Sequence, residues 1–221
     1  MRSIAITALV LVALTGCTPT ADVGTAPVVS SSTPTATSEP PTAKPELSEL
    51  VIGPEGLGPL VIGAAPPSFG PDLDVLVFVD DYCAAAYADG YASEPGLWVE
   101  NYPEALAGDA DRSFGVWVSD GVLEEITVYK PGILTDRGIG VGSTRDEVLA
   151  AYPEGFSSNY LPVWTNSVYA VDGRTGHLLI EVATPDVPLA DTVISLTVAP
   201  VGKPITSTTG TDFALGRCMN G

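Results

Sequence analysis

The sequence predicts an α+β fold that is β-rich, with antiparallel sheet or sheets and one or two short helices. Runs of Val, Ile, Leu, Phe, Trp and Thr recur between Asp-Gly and Gly-rich turns, the signature of strands and hairpins. Only one stretch combines a helix cap with a well-placed apolar face. Two Gly-rich stretches, Gly56 to Gly63 and Arg137 to Gly142, resemble each other with Gly63 and Gly142 79 residues apart. Each leads into a candidate helix or turn and then a hairpin, which suggests a degenerate tandem repeat. Two unrelated Gly-rich turns are the alternative.

Taken in order, Val75-Leu76-Val77-Phe78-Val79 reads as a fully buried strand. Ala84 to Tyr91 reads as a short helix. Phe114 to Val118 and Val122 to Tyr129 flank Ser119-Asp120-Gly121. Asp-Gly between β-formers is a strong hairpin signal, because Gly accepts the positive φ of a tight turn. Thr144, with Glu147 three residues on, forms a capping box, and Val148, Leu149, Ala151 and Tyr152 supply an apolar face. Pro153 stops that helix. Ser167 to Val171 and His177 to Val182 flank a second turn, Asp172 to Gly176, and Thr192 to Val198 adds a further strand.

The amino terminus reads as an address. Met1-Arg2-Ser3 is followed by an apolar run, Ile4 to Leu14, broken only by Thr7. That run is shorter than the about 20 residues a spanning helix needs, and it fits a secretory h-region. It ends in Leu14-Thr15-Gly16-Cys17, with small residues before a cysteine. This resembles the lipobox of bacterial lipoproteins. The resemblance implies cleavage of residues 1–16, a diacylglyceryl thioether on Cys17 and N-acylation. The chain would then sit on the extracytoplasmic face of the cell membrane, with the membrane itself as a partner through Cys17. Two or three acyl chains anchor stably, where one is marginal.

Residues 17–46 read as the acylated cysteine and a disordered tether. They are rich in Thr, Pro, Ser and Ala, with no aromatic residue. Such a stretch buries too little apolar surface to offset its ordering entropy, and frequent Pro extends it. Residues 47–221 read as the folded body, with possible halves 47–131 and 132–221. Beyond Cys17 the chain has two cysteines, Cys83 and Cys218. Outside the cytoplasm two such thiols usually pair, and a disulfide is expected; two free buried thiols are the alternative.

Val141 to Leu149 looks like the Gly-Met-Thr helix start of β-lactamase-inhibitor-protein-like domains, with Ser143 in place of the Met. The Gly-Leu-Gly-Pro-Leu opening at Gly56 and the Gly142 to Pro153 stretch resemble uncharacterised lipoproteins of high-GC Gram-positive bacteria. That resemblance implies a helical element packed on an antiparallel sheet in each half, used for binding protein. In the first half Pro66-Pro67 stands where the helix would begin.

Composition narrows the chemistry. With 9 Lys+Arg against 27 Asp+Glu, the formal charge is −18, which disfavours nucleic acid and anionic head groups. One histidine, His177, makes a multi-His metal site impossible in one chain. It lies at the start of an apolar strand with no G-x-S-x-G elbow in the chain, and reads as a strand-edge residue. Neighbours on a strand face opposite ways, so Glu124 and Glu125 cannot jointly flank one bond. Asp109-Ala110-Asp111 echoes the opening of a calcium loop, but Phe114 and Asp120 occupy its glycine and glutamate positions. The expectation is no catalytic residue, no metal and no cofactor. The predicted role is a non-catalytic envelope module that binds an unidentified protein or ligand. The alternatives are an envelope hydrolase using carboxylates near Asp80-Asp81, or a structural spacer.

Overall fold

The computed structural model describes residues 43–90, 95–102, 112–154, 167–183, 189–202 and Cys218. The residues read as leader and tether, Cys17 included, lie outside the described residues up to residue 42, as do Asp109 and Asp111. Within the described part the fold is β-rich α+β. No described helix is long and apolar enough to cross a membrane.

Eleven strands and two α-helices are described. A 3-10 turn at Leu47–Glu49 precedes β1 (Val51–Gly53), β2 (Gly56–Leu57) and β3 (Leu60–Val61). Next come β4 (Leu76–Val79), α1 (Ala84–Ala88), β5 (Leu97–Glu100), β6 (Phe114–Ser119), β7 (Val122–Val128) and β8 (Leu134–Thr135). Helix α2 (Arg145–Ala151) leads to β9 (Ser167–Asp172), β10 (Gly176–Val182) and β11 (Val193–Pro200). A four-stranded sheet has the order β3-β2-β1-β8, with β8 parallel to β1. A five-stranded antiparallel sheet has the order β6-β7-β11-β10-β9, and among the described residues β4 pairs with β5 alone. Before β1, the Tyr102 hydroxyl donates to the Pro45 carbonyl at 2.8 Å and the Lys44 ammonium donates to the Asn101 carbonyl.

Alternation along the strands sorts the large sheet into two faces. Phe114, Val116, Leu123, Ile126, Val128, Leu178, Ile180, Leu196 and Val198 point to one side. They pack there with Leu50, Ile52, Leu57 and Leu60 of the small sheet region and with Val148 of α2. The opposite face carries Thr127, His177, Glu181, Ser195 and Thr197, all buried as well.

Two hairpins of the large sheet, β6–β7 and β10–β11, match in register. Phe114 pairs with Val128 as Leu178 pairs with Val198, and Trp117 pairs with Glu125 as Glu181 pairs with Ser195. Both ladders then skip one residue, leaving Glu124 and Ile194 bulged. The Gly-rich stretches dock on them alike. Gly63 N–H donates to the Leu123 carbonyl and Leu123 N–H to Ala64, both at 2.8 Å. Gly142 N–H donates to Val193 at 2.8 Å and Val193 N–H to Ser143 at 2.7 Å. Between the hairpins, β7 meets β11 with Thr127 opposite Thr197, their hydroxyls 3.2 Å apart. Ile126 faces Val198 and Val128 faces Leu196. A local two-fold axis therefore passes between the two threonines.

The two sides differ at their outer edges. β10 pairs with β9 from His177 to Val182, whereas among the described residues β6 pairs with β7 alone. The first side also has no helix at 66–72, where α2 would correspond: Pro67 disfavours the helical region for Pro66, and Pro71 would fall in the helix interior.

Several expectations need correction. The strand at Val75–Val79 is not fully buried: it starts at Leu76, has one partner strand among the described residues, and leaves Phe78 41% exposed. The helix expected from Ala84 to Tyr91 ends at Ala88, where the chain turns through Gly90 with positive φ; Tyr91 lies outside the described residues. Leu149 is exposed, so the buried face of α2 rests on Val148, with Tyr152 at its end. His177 is buried on β10, an interior strand, and not at a sheet edge.

The α2 capping box forms as the sequence implies. The Glu147 N–H donates to Thr144 Oγ1 at 3.3 Å and the Thr144 N–H donates to Glu147 Oε2 at 2.7 Å. Thr144→Ala is expected to lower stability by about 1 kcal/mol, with Thr144→Ser recovering most of it, read as urea midpoints at constant slope.

Candidate functional site

A cleft of about 410 Å³ opens between β5 and β6. One wall is the β4–β5 hairpin, where the register sets Phe78 opposite Trp98. Their rings meet at 5.5 Å between centroids, tilted by 60°. Gly96 lies beside them, and a Cβ there would strike the Phe78 ring and displace it. The other wall is β6 from Val116 to Ser119, with Trp117 half-buried. The Asp120-Gly121 turn, with φ of 52° and 77°, lines one end.

Beyond the cleft, the last residue of β5 is a buried carboxylate. Glu100 is 2% exposed and accepts hydrogen bonds from the Ser113 and Phe114 amides at 2.7 and 3.3 Å. Those bonds hold the end of β5 against the start of β6. Behind the hairpin, the Cys83–Cys218 disulfide spans 135 residues with Cα atoms 5.1 Å apart. Cys83 N–H also donates to the Pro95 carbonyl, one residue before Gly96. The covalent bridge therefore tethers the wall that carries Phe78 and Trp98.

The other sequence-singled residues lie apart from this cleft. Asp80 and Asp81 are exposed on the turn after β4. Among the described residues, no group of three or more His, Cys, Asp or Glu side chains is placed to hold a metal ion. Glu124 occupies a β-bulge, and Glu125 accepts from the Thr127 hydroxyl at 3.2 Å.

His177 lies on the polar face, between Asp172 of β9 and Ala199 of β11. Its Nε2 is buried without a hydrogen-bond partner. Burial holds the imidazole below the usual histidine range, with the Asp172 carboxylate acting the other way. The unfolded chain therefore takes up the proton first as pH falls through about 6.5. Stability from neutral His177 is full above that point and is lost below it. The urea midpoint is expected to drop between about pH 7.5 and about pH 5.5, and His177→Gln to shrink that drop.

Sequence reasoning missed Phe78 and Glu100 as site-forming residues. The signal for Phe78 was Gly96 preceding Leu97-Trp98, a small residue where a ring must lie over backbone. Comparison of the chain with protein families, curated proteins and solved structures finds no match.

Proposed function

We propose that this chain is a lipid-anchored protein of the cell envelope whose body binds another polypeptide and performs no chemistry of its own. The observation that carries the reading is the cleft between β5 and β6. Phe78, Trp98 and Trp117 give it apolar, rigid side chains of the kind that dominate interface energetics. Its remaining lining comes from strand and turn residues of β5, β6 and the Asp120-Gly121 turn. The anchoring half of the proposal rests on Leu14-Thr15-Gly16-Cys17 following the Ile4 to Leu14 run. The acidic balance of the chain supports a partner that is neutral or basic.

Two measurements test this. Cys17→Ala is expected to abolish acylation and release the protein from the membrane fraction, and membrane retention of that variant would refute the anchor. Replacing Phe78 with a photoreactive benzoyl-phenylalanine in cells is expected to yield a covalent adduct with an envelope polypeptide, identified by mass spectrometry. An adduct with a wall glycan, or hydrolysis of wall fragments by the purified chain, would overturn the binding reading.

A further inference from the structure

The two sides of the large sheet are built alike up to their outer edges, and there they part. On one side β10 is covered by β9, antiparallel, from His177 against Asp172 to Val182 against Ser167. On the other, β6 stands where β10 stands, since Phe114 matches Leu178 and Trp117 matches Glu181 in their hairpins. Carried across the local axis, β9 falls on the outer edge of β6. The cleft occupies that place beside Val116 to Ser119.

The backbone of β6 is turned to receive a strand there. Successive residues of a strand aim their N–H and C=O groups to alternate sides. Phe114 N–H points outward, because it donates to the Glu100 carboxylate of β5. Val116 and Val118 therefore share that outward direction and face the cleft. At the Ser113–Phe114 end Glu100 already caps the edge, so among the described residues the open length is the stretch from Val116 to Ser119. An extended segment rises about 3.3 Å per residue, so this stretch accommodates four or five residues.

We infer that the cleft binds a short extended stretch of a partner polypeptide by strand addition to β6, in the position that β9 fills on β10; this rests on the binding reading above and specifies its mode. Alternate side chains of the added strand meet Phe78, Trp98 and Trp117. The end nearest Asp120 takes a lysine or arginine, matching the one acidic residue among the described lining and the formal charge of −18 on the chain. Main-chain hydrogen bonds supply affinity, and the aromatic wall supplies selectivity.

The test uses the lipidated full chain in neutral detergent micelles and a designed probe. The probe is a capped peptide with the β9 sequence Ser-Val-Tyr-Ala-Val and one lysine added at its amino end, which by symmetry lies toward Asp120. Two further probes carry N-methyl groups at alternate residues, blocking one edge or the other. Calorimetric titration is expected to show binding of the parent probe. At least one N-methylated probe should bind roughly tenfold weaker or worse, since two main-chain bonds are lost. Val118→Pro, which removes an outward N–H, should weaken the parent probe to the same degree. Asp120→Asn should weaken it and lower its salt dependence. Equal affinity of all three probes, or no binding of the parent probe, overturns strand addition. If that happens while the benzoyl-phenylalanine at position 78 still captures a polypeptide, the binding reading survives and only its mode falls. If position 78 captures no polypeptide either, both fall.

Discussion

Removing the Cys83–Cys218 bridge by the double substitution Cys83→Ala and Cys218→Ala is expected to lower the unfolding free energy by about 5 kcal/mol in the chain-entropy account. The size follows from the separation of 135 residues, which the bridge closes into one loop. Domains of this kind have about 5–15 kcal/mol in total, so the loss is a large share of the whole. Urea unfolding of the parent with and without reductant should reproduce the same difference. A change well under about 2 kcal/mol would mean that the tail adds little constraint to the unfolded chain. The effect should also be local. Cys83 N–H donates to Pro95 beside the cleft wall, so amide exchange at Gly96 to Val99 should accelerate more than at β10 or β11.

Phe114→Ala is expected to cost about 3–5 kcal/mol. The ring is fully buried, and the residue both opens β6 and pairs with Val128 at the centre of the core. Removing it leaves a cavity beside strands that cannot collapse without breaking the ladder. Phe114→Leu should cost far less, because it retains most of the volume. Urea midpoints at unchanged slope measure both. Because the Phe114 amide bonds to Glu100, the alanine variant should also loosen β5 and weaken any ligand of the cleft.

Much of the fold was legible because its signals are local. Asp120-Gly121 between two β-forming runs has one comfortable outcome, a two-residue turn with positive φ at both positions, and that turn is present. Thr144 and Glu147 satisfy each other's amides within one turn of chain. The likeness of Gly63 to Gly142 is matched by matching hydrogen bonds to Leu123 and Val193. What escaped notice depends on partners far along the chain. An apolar run such as Val75 to Val79 reads as buried on both faces, yet with one partner strand it leaves Phe78 toward solvent. His177 reads as an edge residue until β9 and β11 are seen on either side of it. Glu100 looks like any surface acid, and only its distance to the Ser113 and Phe114 amides shows that it is a buried clasp. The cleft arises from where β5 stops following β6, and no single segment encodes that.

The threonine pair at the centre of the sheet has a consequence for how such a protein can change. A dimer of half-length chains built around the same axis would form only when concentrated enough, and every substitution would appear on both sides at once. Carrying the two hairpins on one chain makes their meeting independent of dilution. It also frees them to diverge. One flank keeps its covering strand, while the other, among the described residues, borders a cleft that selection can reshape separately.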